Sequence, residues 1–141
     1  MTINQISVFL ENKFGKLNEI LSILSKENIR VIAATIADTC DYGILRIITT
    51  DQQKACAVLK EKQVSANLTE VIAIEIEPSI GKFAATIEYF TQAGIDIEYM
   101  YCFSINHRAM LVLRTKNLEA AFDVIRDKGL HYTKESELVN F

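Results

Sequence analysis

The chain of 141 residues contains no tryptophan, only one proline and only five glycines. This scarcity leaves little room for flexible linkers, and half of the residues are hydrophobic, as in a globular protein. No apolar run approaches the roughly 20 residues that span a bilayer. Residues 1–5 lack the basic patch and apolar stretch of a signal peptide. These absences predict a cytoplasmic globular protein with no membrane partner.

Positive charge is also scarce. Fifteen basic residues face 18 acidic ones, for a net charge of −3 and a pI near 5.4, so no basic surface for nucleic acid is predicted. The three cysteines, Cys40, Cys56 and Cys102, are odd in number and widely spaced. A disulfide framework or zinc site needs closely spaced pairs, so we interpret them as reduced thiols and predict no metal or cofactor.

The sequence aligns with itself at an offset of 66 residues. Gly15-Lys16 matches Gly81-Lys82, since 81 − 15 = 66, and the ungapped alignment contains ten identical pairs. Hydrophobic character and turn residues agree along the whole alignment. A length of 141 residues favours one domain, but an internal repeat takes precedence in assigning the architecture. We therefore interpret the chain as two copies of about 66 residues, followed by a short remainder.

Each copy predicts the element order strand, helix, strand, strand, helix, strand. In the first copy, β-rich apolar runs predict strands at 6–10, 31–37, 44–48 and 64–68. Leu17, Ile20, Leu21 and Leu24 follow the i, i+3, i+4, i+7 spacing of an amphipathic helix. Asp51 is the predicted N-cap of the second helix.

The second copy repeats this order. Strands are predicted at 71–76, 97–103, 110–113 and 130–133. A helix is predicted through Phe83, Ile87 and Phe90, with Gly94 as its left-handed C-terminal residue. Asn106-His107 is the predicted hairpin turn, and Asn117 matches Asp51 as a cap.

Two strand–helix–strand crossovers around a hairpin predict an α+β, ferredoxin-like unit with both helices on one face of a four-stranded sheet. We assign residues 1–69 to the first unit and 70–141 to the second. A unit of this size is marginal as an independent core, and only two residues separate the predicted strands. We therefore expect the tandem βαββαβ units to pack as a pseudo-symmetric pair.

No catalytic group is indicated. His107 and His131 have no Ser, Cys or Asp at a familiar catalytic spacing, and Gly15 and Gly81 stand alone rather than in a phosphate-binding loop. RNA-recognition domains share this element order and stack bases on sheet aromatics, and residues 99, 101 and 103 are aromatic. The acidic balance favours an interpretation of these rings as buried packing residues.

The turn before the first helix offers a physical basis for binding. Gly15 lets a ligand approach the backbone closely, and the N-terminus of a helix favours a small anion such as a carboxylate. Asn12 adds a donor and an acceptor, and Lys13 or Lys16 adds positive charge. The alternative is a purely structural helix-initiating turn. Recurrence at Gly81-Lys82 favours binding only modestly, since repeats also retain structural turns.

Residues 6–17 resemble the start of an ACT domain: a strand, Asn, a basic residue, a Gly and an apolar residue that opens the helix. Gly81-Lys82-Phe83 together with residues 93–97 resembles the same motif in the second copy. The resemblance covers about residues 4–135 and implies a stand-alone tandem ACT protein. It further implies regulatory binding of a free amino acid at the interface between ACT units.

The resemblance also implies the site residues. The first site would comprise Asn12, Lys13, Phe14, Gly15 and Leu17 of one turn, with Tyr99, Met100 and Cys102 facing them. The second, weaker site would comprise Ser79, Ile80, Gly81 and Lys82, with Thr35, Ile36, Ala37 and Asp38 facing them.

The chain departs from the family motif at two places. Phe14 and Ile80 stand where proline is usual, and Pro78-Ser79 replaces Asn12-Lys13 in the second copy. The two sites are therefore chemically unequal, and we expect the site at Asn12 to be the better one.

Three classes of function remain at this point. The first is a non-catalytic amino-acid sensor, expected to be a homodimer. The second is an in-trans regulatory subunit of an amino-acid biosynthetic enzyme, acting mainly through a protein interface. The third, an enzyme on a ferredoxin-like scaffold, lacks an identifiable acid–base pair.

Overall fold

The computed structural model describes residues 1–11, 13–38 and 41–140. Its elements in chain order are β1 (Ile3–Glu11), α1 (Lys16–Lys26), β2 (Val31–Asp38), β3 (Tyr42–Thr49), α2 (Gln52–Glu61), β4 (Ala66–Ile76), α3 (Lys82–Gln92), β5 (Tyr99–Ile105), β6 (Arg108–Arg114), α4 (Leu118–Asp127) and α5 (Glu135–Leu138). They form two compact units. The N-terminal unit contains residues 4–69 with 138–140, and the C-terminal unit contains residues 1–3 and 70–137.

The N-terminal unit has antiparallel strands in the order β2-β3-β1-β4. Alternate residues of β1, such as Ile6 and Val8, are fully buried and pack with Leu24 of α1 and Leu59 of α2. This alternation follows from the pleat of a strand, which turns successive side chains to opposite faces. The helices therefore cover one face of the sheet, as a ferredoxin-like unit requires.

The C-terminal unit repeats three of these four strands, in the order β4-β6-β5. Ile72 and Ile74 of β4 pack with Phe90 of α3 and Ile125 of α4, and Phe90 is fully buried. Leu24 and Phe90 occupy equivalent positions at the offset of 66 residues. The predicted α+β fold with two tandem ferredoxin-like units is confirmed.

The two predicted strands at 64–68 and 71–76 are one strand, β4, and their separation was wrong. Near its start, the backbone N–H of Phe9 donates to the carbonyl of Ser65 at 2.9 Å, and further along Ile72 faces Leu113 of β6. The sequence analysis interpreted Thr69-Glu70 as a break because both residues are polar. In the structure the backbone stays extended through both residues, so the strand is continuous.

The predicted closing strand at 130–133 is also wrong, because only one isolated bridge forms there. Tyr132 lies opposite Ile74, flanked by backbone hydrogen bonds from Glu75 N–H to the His131 carbonyl and from Thr133 N–H to the Ala73 carbonyl. A short helix that the sequence analysis missed, α5, follows. Its residue Leu138 is buried and belongs to the N-terminal unit.

The predicted caps and turn are confirmed. Asp51 accepts a hydrogen bond from the Lys54 N–H at 3.0 Å, and Asn117 accepts one from the Ala120 N–H at 3.1 Å. Gly94 has φ +70° just after α3. Asn106 and His107 both have positive φ between β5 and β6, as expected for a two-residue hairpin with a type I′ turn.

Candidate functional site

Backbone hydrogen bonds close the turn between β1 and α1. The Lys13 N–H donates to the Glu11 carbonyl at 2.7 Å, and the Lys16 N–H donates to the Lys13 carbonyl at 3.3 Å. Gly15, at the N-cap of α1, has φ +85°, a conformation that glycine adopts without strain. The turn projects Phe14 into solvent, where it is fully exposed.

The turn between β4 and α3 has the same hydrogen bonds at equivalent positions. The Ser79 N–H donates to the Glu77 carbonyl at 2.8 Å, and the Lys82 N–H donates to the Ser79 carbonyl at 3.3 Å. Gly81 has φ +86°, and Ile80 is fully exposed. The repeat thus preserves the left-handed glycine and an exposed apolar residue in front of it.

An ion pair lies at each turn, although the two pairs do not join equivalent residues. Lys13 Nζ lies 2.7 Å from a carboxylate oxygen of Glu11, and Lys82 Nζ lies 3.7 Å from one of Glu77. The hydrogen bond and the positive charge of Lys13 hold the pKa of the Glu11 carboxyl below its ordinary value. The same hydrogen bond raises the pKa of Lys13. At neutral pH this turn therefore presents neutralised charges rather than a free cation.

The β5 residues predicted for the first site lie on two faces of one strand. Tyr99 is half-buried and faces Arg114 across the sheet, whereas Met100 and Cys102 are exposed and face Leu113 and Leu111. Partial burial of its sulfur raises the pKa of the Cys102 thiol, although the residue as a whole is exposed. Met100 and Cys102 are thus the two that share one surface.

The other residues predicted for the two sites lie in α1, in β2 and outside the described part of the chain. Leu17 packs against the core of the N-terminal unit, and Asn12 lies outside the described residues. In β2, Thr35 faces Arg46, while Ile36 faces Leu45 and Ala37 faces Ile44. Asp38 is the last residue of β2. Each predicted site takes its turn from one unit and its strand from the other, and that combination stays a prediction.

The sequence analysis missed a pocket that lies wholly within the N-terminal unit. It has a volume of 470 Å³ and opens where β1 ends, beside the start of α1 and the α2–β4 connection. We call it the Phe9–Tyr42 pocket. It is lined by Phe9, Leu10, Glu11, Lys16, Glu19, Ile20, Asp41, Tyr42, Lys62, Gln63, Val64 and Ser65. The rings of Phe9 and Tyr42 form its aromatic part, with centroids 4.9 Å apart.

A pocket at the equivalent position of the C-terminal unit has different chemistry. It is lined by Glu75, Ile76, Glu77, Pro78, His107, Arg108 and His131. Glu75 and Arg108 replace Phe9 and Tyr42 at the offset of 66 residues, and they form an ion pair at 3.6 Å. We call this the Glu75 pocket. The contrast between the two pockets was readable in the alignment as aromatic residues set against charged ones.

Two structural findings concern the described part of the chain alone. Residues 1–11, 13–38 and 41–140 contain no cluster of three or more His, Cys, Asp or Glu side chains able to hold a metal ion. Over the same residues, every helix is too short or too polar to cross a bilayer.

The repeated turns and duplicated units match a known family over the full length of the chain. The profile described as "ACT domain pair" matches residues 1–141. The chain belongs to the ACT domain pair family. The predicted resemblance to a tandem ACT protein is thereby confirmed. No curated protein matches the sequence.

Solved structures with the same fold include a protein of high similarity. Protein BT0572 from Bacteroides thetaiotaomicron is 37% identical, with a TM-score of 0.94, and the alignment covers 100% of this chain and 98% of that one. The ligand-free regulatory subunit of aspartate kinase from Thermus thermophilus is 15% identical, with a TM-score of 0.61 and coverage of 88% and 91%. The corresponding subunit from Thermus flavus is 16% identical, with a TM-score of 0.59 and coverage of 88% and 90%. The two Thermus structures establish a shared fold.

Proposed function

We propose that this ACT protein is a non-catalytic regulator that binds a free amino acid at the interface between ACT units. The observation that carries the proposal is the duplicated turn. Gly15 and Gly81 have the same left-handed φ, and the same backbone hydrogen bonds surround them. A turn held in this way exposes the start of a helix to a small anion such as an α-carboxylate. Membership of the ACT domain pair family and the regulatory subunits among its structural neighbours support a regulatory role.

The proposed units are residues 1–69 and 70–141, and the proposed binding residues are those predicted from the family motif. In the first site, Lys13, Phe14 and Gly15 would meet the ligand backbone, with Met100 and Cys102 on the facing strand. The turn at Ser79–Lys82 would form the weaker site. It lacks the Asn side chain of the first copy, because Pro78 stands at the position of Asn12.

Thermal-shift measurements against the twenty amino acids test the proposal. Occupancy at 100 times Kd adds about 2.7 kcal/mol to the free energy of unfolding. We expect at least one amino acid to raise Tm in proportion to the logarithm of its concentration. If none does so at millimolar concentration, the protein is not an amino-acid sensor.

The location of the site can be tested through Cys102. In a Cys40→Ser background the remaining cysteines are Cys56, which is buried, and Cys102, which is exposed. Iodoacetamide should therefore modify Cys102 first, and a bound amino acid should slow that reaction. Binding without any protection of Cys102 would place the ligand elsewhere.

A second candidate function is an in-trans regulatory subunit of an amino-acid biosynthetic enzyme. The observation in its favour is the full exposure of two apolar residues, Phe14 and Ile80, at equivalent turns. A protein partner that covered these two side chains would remove their apolar surface from water, which is favourable. Co-purification from native lysate with a stoichiometric biosynthetic enzyme would support this candidate, and a homo-oligomer alone would count against it.

We also propose that the protein is a homodimer with no nucleic-acid or membrane partner. The net charge of −3 disfavours phosphate backbones, and Tyr99, Tyr101 and Phe103 are half-buried on one face of β5. Sedimentation equilibrium tests the oligomeric state, and a monomer across micromolar concentrations would contradict it.

A further inference from the structure

We infer that the Phe9–Tyr42 pocket is itself an amino-acid site, one that selects a zwitterion with an aromatic or large apolar side chain. This inference rests on the proposed function and names the class of ligand and a different location for it. The pocket draws all its lining residues from the N-terminal unit. Its 470 Å³ lies within the range of roughly 300–1,000 Å³ typical of ligand pockets.

The charges of the pocket leave one group of each sign available. Glu11 pairs with Lys13 at 2.7 Å, and Glu19 pairs with Lys16 at 3.3 Å. In the described part of the chain, the side chains of Asp41 and Lys62 make neither an ion pair nor a hydrogen bond. An amino acid carries an ammonium and a carboxylate on one carbon. Asp41 would accept from the ammonium, and Lys62 would donate to the carboxylate.

The aromatic part of the pocket is available to a side chain. Phe9 is 54% exposed and Tyr42 is 41% exposed, and their rings are tilted by 33°. Half-exposed aromatic pairs offer a rigid apolar surface, and burial of that surface by a ligand is favourable. Leu10 and Val64 extend the apolar lining. The side chain of a ligand held between Asp41 and Lys62 would lie against this surface.

Gln63 gives a separate reason to regard the pocket as functional. It has φ +63° at the end of α2, in the left-handed region that strains a residue with a Cβ atom. The equivalent residue of the second copy is Gly129, with φ +62°. The N-terminal unit thus carries a side-chain amide, which lines the pocket, at a position where glycine is less strained. Strained residues concentrate at functional sites, and here the strain holds a donor and an acceptor at the pocket wall.

The Glu75 pocket, at the equivalent position of the C-terminal unit, lacks the unpaired charges, the aromatic rings and the amide of the Phe9–Tyr42 pocket. The Glu75 carboxylate lies 3.6 Å from the Arg108 guanidinium, so these two charges are engaged with each other, and His131 Nε2 lies 3.9 Å from the same carboxylate. It contains neither an aromatic pair nor an amide at the position of Gln63. We therefore assign a zwitterion pocket to the N-terminal unit and none to the equivalent position of the C-terminal unit.

Isothermal titration calorimetry of the full chain with L-phenylalanine tests the inference. 3-Phenylpropionate lacks the ammonium, 2-phenylethylamine lacks the carboxylate, and L-aspartate lacks the apolar side chain. We expect each of the three to bind about tenfold or more weakly than L-phenylalanine, since each leaves one pocket group unsatisfied. If 3-phenylpropionate or 2-phenylethylamine binds as tightly as L-phenylalanine, the pocket does not recognise a zwitterion.

Three variants test the location. Asp41→Asn and Lys62→Gln should each weaken L-phenylalanine binding about tenfold, and Gln63→Gly should weaken it while raising the Tm of the free protein. Lys60→Gln, in the last turn of α2 but outside the pocket, and Glu75→Gln, in the other pocket, are the matched controls and should leave Kd unchanged. If the Tm of Gln63→Gly is at or above that of wild type, its loss of affinity cannot be ascribed to unfolding.

The outcomes separate this inference from the proposed function. If an amino acid binds and protects Cys102 but the three pocket variants leave Kd unchanged, the proposed function stands and the pocket assignment is overturned. If L-phenylalanine binds without protecting Cys102 and the pocket variants weaken it, the pocket assignment holds. If no amino acid binds the wild-type protein, both are overturned.

Discussion

Gln63 and Gly129 occupy equivalent positions just beyond α2 and α4 and have nearly the same φ, +63° and +62°. Both backbone N–H groups close the end of the preceding helix, from Gln63 to the Lys60 carbonyl and from Gly129 to the Arg126 carbonyl. The two copies share the left-handed backbone conformation, but only the second has glycine, the residue that adopts it most easily. The fold therefore requires the conformation at this position, whereas the Gln side chain is particular to the N-terminal unit.

Exchanging the two residue types should change stability in opposite directions. Gln63→Gly is expected to raise the free energy of unfolding by about 0.5–1 kcal/mol, because it relieves left-handed strain but increases the freedom of the unfolded chain. Gly129→Gln is expected to lower it by about 1 kcal/mol. Urea denaturation of both variants against wild type measures the pair. A loss of stability in Gln63→Gly would contradict the assignment of strain at this residue.

The two confirmed caps should contribute equally to their helices. Asp51→Ala and Asn117→Ala each remove an acceptor for a first-turn N–H, and each should cost about 1 kcal/mol of stability. Asp51→Asn keeps an acceptor and should cost much less. Gln53→Ala, at an exposed neighbouring position, is the control. If Asp51→Asn proves as destabilising as Asp51→Ala, charge rather than capping is responsible.

Buried and exposed apolar residues of the repeat should differ sharply in their effects. Leu24→Ala should lower the free energy of unfolding by about 2–5 kcal/mol, and Phe90→Ala by about 3–5 kcal/mol, because both side chains are fully buried. Phe14→Ala and Ile80→Ala should stay within about 0.5 kcal/mol of wild type, since both residues are fully exposed. A large loss in Phe14→Ala would show that this side chain is covered in solution, as in a stable homodimer.

Titration of Glu11 should report its contact with Lys13. Its pKa lies below the ordinary value of 4.5, first because of the hydrogen bond from Lys13, then the charge of Lys13, with a smaller contribution from Lys16. A lowered pKa in the folded state means that the contact stabilises the fold above the unfolded pKa. The contribution is lost as the pH falls through the folded value.

Lys13→Met should therefore raise the pKa of Glu11, and Lys16→Met should raise it less. Carboxyl chemical shifts recorded by NMR between pH 2 and pH 7 measure both variants. Because Glu11 and Lys13 are exposed, we expect only a small change in stability. An equal shift in the two variants would mean that long-range charge, not the Lys13 contact, lowers the pKa.

The fold was predictable where the determining interactions are local. Asp51 and Asn117 cap helices, Gly94 ends one, and Asn106-His107 forms a hairpin, because each depends on residues within one turn of the chain. The continuous strand β4 was not predicted. Whether Thr69-Glu70 bends or extends depends on strands β1 and β6, which are distant in the sequence.

The candidate sites likewise include a part that depends on local sequence and a part that depends on long-range packing. The turns at Gly15 and Gly81 follow from a motif of a few residues that occurs twice. The Phe9–Tyr42 pocket gathers residues from four separate stretches of the N-terminal unit, and no short pattern marks them as neighbours. In the alignment of the two copies, the visible signs were Phe9 and Tyr42 set against Glu75 and Arg108, and Gln63 set against Gly129.

The sequence by itself determined the repeat, the order of elements in each copy and the glycine turns that place the chain among ACT domain pairs. These depend on hydrophobic period, on caps and on left-handed backbone conformations, all of which act over a few residues. The ion pairs of Glu11 with Lys13 and of Glu19 with Lys16 are also local, since their partners are two and three residues apart. Only the tertiary structure decided that Asp41 and Lys62 line one pocket, because packing of elements far apart in the chain brings these two residues together.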